Sequence, residues 1–409
     1  MYKFLFEKES AHPSESFKSR NFKGKWQKKF IDEFVDSVFK FGIDKTQEIF
    51  FNASNEHLPS YLYKFFPPTI HSLSSIQNKN IFLSSPKDFN DPFDSYICMD
   101  DQAYIKFYIL DAIENNGLKS KKSTPDTLSE NEFETLKYSP IQGRYREELG
   151  HSDDFQRILY RICEEKSKQF YFKLNSISVS AERDKDKKVN AIRNLPFRIT
   201  CFSNFTNEEE LETNTTMWSH YAQSHTGFCV KYSLNIENSI YSNIIKCGLL
   251  PVIYTSRVPK LTLQDFKKIK LEAEDVKLTP SVLKKAYKAL ITKSKFWSYE
   301  NEWRLIISKD NEIQMSSNTI PFLNIDAIYL GCKIDQNIKK SIVKFAETEG
   351  ICIFEAVQSD EQFKLYFREI STKKLKINEF YSKLYECNRI KDENIKNRKM
   401  RLIKETFDS

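Results

Sequence analysis

Apolar residues recur at helical spacing near the start of the chain. Phe30, Phe34, Val38 and Phe41, joined by Ile31 and Val35, form one stripe behind Trp26, and helical character returns over 46–51. Residues 25–58 therefore read as an N-terminal helical extension whose apolar face packs on the main body. From Tyr61 the pattern changes. LYKFFPP reads as a short strand stopped by Pro67 and Pro68, residues 69–78 as a helix, and IFLSS as a further strand ended by Pro86. PKDFNDPFD is dense in Asn, Asp and Pro and reads as a loop.

Between 101 and 195 the period is helical again, in AYIKFYILDAIE and DDFQRILYRICEEKSKQFYFKL, with a polar loop between them. The charged stretch AERDKDKKVNAIR reads as solvated or mobile. Strand patterns resume at RITCFSNF, followed by an acidic loop, NEEELETNTT, a short helix at MWSHYAQ, and strands at TGFCVKYSL and GLLPVIYTS. Residues 262–296 read as mostly helical with an interruption at Pro280. RLIIS and NTIPFLNIDAIYLG are strand-like, DQNIKKSIVKFAETEG is helical, and ICIFEAV and FKLYFREI close the sheet. A long lysine-rich helix is expected over 373–405.

This order is no regular strand–helix alternation. It predicts an α+β fold with a mixed or antiparallel sheet and helical segments at the N-terminus, in an insertion and at the C-terminus. The division expected is an extension over 1–58, a body over 59–372 carrying an insertion at about 101–195, and a basic terminal helix over 373–409.

Composition changes the picture in three places. The 33 Phe predict an aromatic-rich core, and the nine Gly, with no GxGxxG and no GxxxxGK[ST], argue against a glycine-rich phosphate loop. None of the eight Cys sits in a CxxC pair and several lie in apolar runs, so reduced thiols in a cytoplasmic protein are expected, with neither a disulfide frame nor a metal site. No run approaches the ~18–20 apolar residues of a membrane span, and the first twelve residues carry no signal-peptide core. The net charge of +7 permits a nucleic-acid or acidic protein partner without demanding one.

Candidate chemistry gathers in three separated stretches. In FLSSPKDFNDPFD, Asn90 and Asp91 sit on a loop constrained by Pro92, where short polar side chains either hold a ligand hydroxyl or simply cap backbone amides. In MWSHYAQSHTGFCVKY, Trp218 and Tyr221 lie three apart and share a helix face, as core or as a stacking wall for a planar ring. His220 and His225 there lack metal-ligand spacing, and Gly227 allows close backbone approach or a positive φ. In KFWSYENEWRLII, Glu300, Glu302 and Arg304 share one face if the segment is extended. A carboxylate beside Trp297 or Trp303 is desolvated there and suited to acid–base work, and the plainer alternative is a structural Glu–Arg ion pair. The terminal run holding Lys396, Arg398, Lys399 and Arg401 reads as a solvated face or as a phosphate-backbone contact.

Together these pieces resemble a bacterial domain-of-unknown-function family, DUF2971. The resemblance rests on LYKF at 62–65, FLSSPKDFNDPFD at 82–94, CFSNF at 201–205, MWSHYAQSHTGFCVKY at 217–232, VIY at 252–254, WSYENEWRL at 297–305 and AIYLG at 327–331. The order of strands is similar to that of ADP-ribosyltransferase-like folds. That likeness implies NAD as substrate, Lys64 at the first-strand position, Ser84 or Ser85 at the second, and Glu302 or Glu300 as the carboxylate that meets the ribose. Trp218, Tyr221 and Arg304 would then bind, and the protein would be an effector modifying a macromolecule, in a toxin or in phage defence. Lys64 departs from the His or Arg such enzymes carry, since a lysine is no planar fork. Other expectations are a non-enzymatic module for nucleic acid or protein, using the basic tail, and a small-nucleotide sensor using the same pocket.

Overall fold

A computed structural model of the chain describes residues 26–99, 104, 168–234, 242–272, 275–308, 318–321, 324–371, 396–397 and 399–401. The fold is α+β, built on an eight-stranded mixed sheet. Its strands, numbered along the chain, are β1 Tyr61–Phe66, β2 Phe197–Ser203, β3 Phe228–Ser233, β4 Leu249–Pro251, β5 Glu302–Ser308, β6 Asn324–Leu330, β7 Cys352–Gln358 and β8 Leu365–Ser371. They lie in the order β8-β7-β6-β3-β1-β2-β5-β4. Neighbours run antiparallel except β6 and β7, which pair in parallel across the helix Gln336–Glu349. That helix is started by Asp335, which accepts from the amides of Asn337 and Ile338, and stopped by Gly350 at φ 70°.

Alternation along the strands divides the core. One face carries Leu62, Phe66, Phe228, Val230, Trp303, Leu305, Ile328 and Ile353, packed with Ile76 and Ile342 from helices. On the other face Tyr63, Phe65, Cys229 and Tyr329 form one apolar cluster with Met217 and Trp218. Phe197, Ile199 and Ile306 form another with the helices Trp26–Phe41 and Pro280–Leu290. The N-terminal stripe is buried as expected: Phe30, Ile31, Phe34, Val35 and Val38 all enter this last cluster. Ion pairs Lys288–Asp32 and Lys284–Asp36, both 2.6 Å, run along the same helix contact.

Several segments differ from the sequence expectation, each because a local signal was outweighed. Pro280 begins a helix rather than interrupting one; at its first turn the missing N–H costs nothing. Ahead of it lie a short helix, Leu263–Lys267, closed by a Thr262–Asp265 capping box, and a ribbon pairing Lys270–Glu272 with Asp275–Lys277. The acidic stretch holds a helix, Glu208–Thr213, capped by Asn207, because three glutamates suit a helix N-terminus. AERDKDKKVNAIR lies inside the helix Lys168–Arg193 and buries Ala181, Val189 and Ile192, so its charges occupy only the outer face. GLLPVIYTS divides between β4 and Ile253–Thr255, which pairs with Thr292–Ser294 instead of the main sheet. The rest of the expected insertion, apart from Tyr104, and most of the expected terminal helix lie outside the described residues.

One corner is held at close quarters. Gln223, Ser224 and His225 are all left-handed, at φ 47°, 55° and 69°, and turn the chain from the helix Thr215–Tyr221 into β3. Gly227 follows, and a Cβ there would lie 2.0 Å from the Phe66 carbonyl oxygen. Close approach, not positive φ, is therefore what this glycine supplies. Gly227→Ala is expected to lower the unfolding free energy by about 3 kcal/mol or more, since backbone cannot rotate away as a side chain would. Urea denaturation measures this, and a loss below about 1 kcal/mol would mean that β1 and β3 part at little cost.

Candidate functional site

The two apolar clusters on one face of the sheet are separated by a polar island over β1, β2 and β5. Tyr63, Ser203 and Glu302 stand in one row across these strands, and Arg304 pairs with Cys201 in the next. A cleft of about 150 Å³ opens over them, lined among others by Lys64, Phe89, Asn90, Asp94, Tyr221, Lys293, Glu300 and Glu302.

Its floor is a buried charge network. Arg304, 0% exposed, uses all five N–H donors within the protein. Its Nε donates to Glu302 Oε1 at 2.7 Å, Nη1 to the Ser95 hydroxyl at 3.0 Å and the Leu290 carbonyl at 2.6 Å, and Nη2 to Asp94 at 2.8 Å and Glu302 Oε2 at 3.2 Å. Lys293 Nζ donates to Glu300 at 2.5 Å and Glu302 at 2.9 Å and lies 3.6 Å from Asp94. The Tyr221 hydroxyl donates to Glu300 Oε1 at 2.5 Å, and the Tyr254 hydroxyl accepts the Glu302 amide at 2.9 Å.

The three stretches singled out in the sequence do meet here. Trp297 Nε1 donates to Asp91 at 2.7 Å and Asp94 pairs with Arg304, which ties the 82–94 loop to β5. Tyr221 bonds Glu300, His220 Nδ1 lies 3.1 Å from the Tyr299 hydroxyl, and Asn214 donates to the Tyr299 carbonyl, which ties in the 217–228 segment. Residues 295–300 form a 3₁₀ turn and Asn301 is left-handed at φ 44°, so Glu300 is not on the strand. Only Glu302 and Arg304 share the strand face, and Lys293 brings Glu300 to them.

Electrostatics separates the two glutamates. Burial pushes the Glu300 carboxyl up to about 7, with Lys293 opposing. Burial acts on Glu302 as well, but the Arg304 guanidinium and the Lys293 ammonium outweigh it and hold that carboxyl below its ordinary range. Burial alone draws the Lys64 ammonium below its usual range; its Nζ donates to the Cys201 carbonyl at 2.9 Å. The partners explain this division: Glu302 pairs with both Arg304 and Lys293, whereas Glu300 pairs with Lys293 alone, too little to offset its burial.

Other expected site residues fare differently. Trp218 is fully buried, donates to the Leu211 carbonyl and meets Phe65 edge-on, so it is core and no stacking wall; Met217 and Tyr221 line the cleft instead. Arg304 has no donor left for a ligand and is a brace. Trp303 points to the opposite face of the sheet, so of the two indoles only Trp297 lies beside the network, its ring 5.1 Å from Lys293 Nζ. Ser84 bridges to Ile199 through its backbone and Ser85 precedes a 3₁₀ turn; neither lines the cleft. Asp91 caps the Phe93 amide and holds Trp297, whereas Asn90 and Lys64 do face the cleft. Lys396, Lys399 and Arg401 are helical residues away from its lining, and Arg398 lies outside the described residues. Sequence reasoning missed Lys293, Asp94 and Cys201. Asp94 ends the FNDPFD run and was within reach, but Lys293 sits in a lysine-rich stretch that nothing distinguishes.

Among the described residues no group of His, Cys, Asp and Glu is placed to hold a metal, no helix is long and apolar enough to cross a membrane, and Cys201, Cys229, Cys247, Cys332 and Cys352 are free thiols.

Residues 217–305 match the model of a family described as protein of unknown function, DUF2971. The matched span begins at the Met217 helix and ends on β5, so it contains Tyr221, Lys293, Glu300, Glu302 and Arg304. No curated protein and no solved structure matches the chain.

Arg304→Leu is expected to cost about 3–5 kcal/mol in denaturant unfolding, because Glu302 and Asp94 would remain buried with only Lys293 between them. A loss below about 1 kcal/mol would mean that water enters and solvates them. The pH dependence has a definite sign. A carboxyl raised from 4.5 to about 7 on folding favours the folded state while protonated, so Glu300's contribution is lost as pH climbs through that window. Glu302, held low, contributes above its ordinary range and loses that contribution in acid. Glu300→Gln is expected to remove a stability slope amounting to about 3 kcal/mol at most between these pH values, read from unfolding midpoints across pH. An unchanged slope would mean that Glu300 ionises as a surface carboxylate does.

Proposed function

We propose that the cleft is an acid–base site for glycosyl transfer from NAD to a macromolecular acceptor, ADP-ribosyl transfer in class, with Glu302 and Glu300 as its two carboxylates. The observation that carries this reading is the divided protonation of the pair across one lysine. Two titratable groups pushed apart by their surroundings take opposite roles at one pH. Glu302 stays ionised and opposes positive charge that develops at a ribose carbon. Glu300, poised near neutrality, takes the proton that the acceptor gives up. Tyr221 and Lys293 hold the Glu300 carboxyl from both oxygens and fix its aim. The bond from ribose to nicotinamide breaks with its electron pair on the leaving ring, and the acceptor's lone pair forms the new bond.

The cleft's residues suit such a substrate in size and character. At about 150 Å³ it suits one ring-bearing end of a dinucleotide, since whole drug-sized ligands fill some 300–1,000 Å³. Tyr63, Phe65, Phe89 and Phe202 offer apolar surface along it, and Asn90 and Lys64 offer donors. A second reading, a small-nucleotide sensor, draws support from the saturation of Glu302. Arg304, Lys293 and the Cys201 thiol already occupy its oxygens.

Incubation of the pure protein with NAD and chromatography of free nicotinamide tests the proposal. Wild type is expected to release nicotinamide, and Glu302→Gln to lose about 100-fold or more. Release should rise with pH through about 7 in wild type and lose that dependence in Glu300→Gln. NAD binding without release would favour the sensor, and neither binding nor release by a folded protein would sink both readings.

A further inference from the structure

Behind the 86–97 loop, on the side away from the cleft floor, lies a larger cavity of about 350 Å³. It sits against the end of the helix Lys168–Arg193 and one face of Pro280–Leu290, and it shares Phe89 and Asp94 with the cleft. Most of its wall is apolar, from residues such as Ile97, Leu195 and Ala289. Into this wall the protein places a guanidinium. Arg193 stacks 4.2 Å over the Tyr96 ring and donates from Nη2 to the Ile97 carbonyl at 3.2 Å. Its Nε is covered yet makes no hydrogen bond, and no carboxylate pairs with it among the described residues.

The charges around the cavity leave this cation in excess. Asp94 is taken by Arg304 and Lys293. Asp91 spends its oxygens on the Trp297 indole and the Phe93 amide. Lys87, exposed on the loop, adds a second positive charge to the lining. With Asp91 counted against Arg193 and Lys87, one positive charge remains over a cavity large enough for a mononucleotide. A planar fork of donors held by a ring and a carbonyl is the arrangement that recognises phosphate, and an apolar wall beside it suits a base.

We propose that this cavity binds a nucleoside monophosphate, with the phosphate on Arg193 and Lys87 and the base against Phe89 and the Leu195–Ala289 wall. The inference goes beyond the chemistry assigned to the cleft and does not require it. Binding is read by calorimetry on the full chain with AMP, adenosine and inorganic phosphate, and no NAD is present. Wild type is expected to bind AMP, and to bind adenosine and inorganic phosphate each about 10-fold more weakly or worse, since each lacks one half of the recognition. Arg193→Gln should weaken AMP about 10-fold or more, and Lys87→Glu about 5-fold, with added salt acting in the same direction. Circular dichroism melting without ligand checks that each variant is folded. Should Arg193→Gln not fold, Lys87→Glu decides, because Lys87 is exposed and its loss leaves the core intact. No AMP binding by wild type, binding unchanged in the folded variants, or adenosine bound as tightly as AMP would each overturn the proposal.

Discussion

The arginine buried on β5 is what the cleft and the elements around it are arranged about. A guanidinium at 0% exposure is tolerable only if each N–H finds an acceptor, since the cost of removing it from water is several kcal/mol. Arg304 meets that requirement by drawing on separate parts of the chain. These are a neighbour on its own strand, the loop at Asp94 and Ser95, and the last carbonyl of the helix Pro280–Leu290. That carbonyl has no partner within its own helix, so the arginine satisfies an orphan acceptor and the helix end stabilises a cation. The strand, the loop and the helix are thereby fixed to one another through a single side chain.

That brace also sets the surroundings of the two glutamates. Asp94 and Glu302 are needed to satisfy Arg304, and Lys293 enters beside them. Glu300 is bound to the same lysine and, among the described residues, to no second cation. Its raised affinity for a proton follows first from burial, with the neighbouring Glu302 adding to it and Lys293 opposing.

The apolar clusters on either side hold the polar island in place. Trp218 and Phe65 flank the network on one side and Phe197, Ile199 and Ile306 on the other, and the cleft and the cavity behind the loop open beside it. The loop carrying Phe89, Asp91 and Asp94 is the partition between these two openings. It is anchored by Trp297 at one point and by Arg304 at another.

Local patterns were enough to place the sheet strands and the helix at MWSHY, because each depends on periodicity or on turn residues that act over a few positions. The order of strands, with β1 inserted between β2 and β3, could not be read that way. Nor could the role of each motif residue. Trp218 and Tyr221 share a helix face in the sequence, but which one is core and which lines the cleft depends on where Phe65 and Glu300 lie across the fold. Glu300 and Glu302 look alike at the end of one motif. Burial makes Glu300 a proton-binding group near neutrality, whereas Arg304 and Lys293 outweigh burial at Glu302 and hold it ionised. The sequence alone determined which residues would be present and which segments would be regular. Only the tertiary structure decided which charges are buried together, and the strength of those interactions depends on distance and exclusion of water, quantities that exist only once the chain has folded.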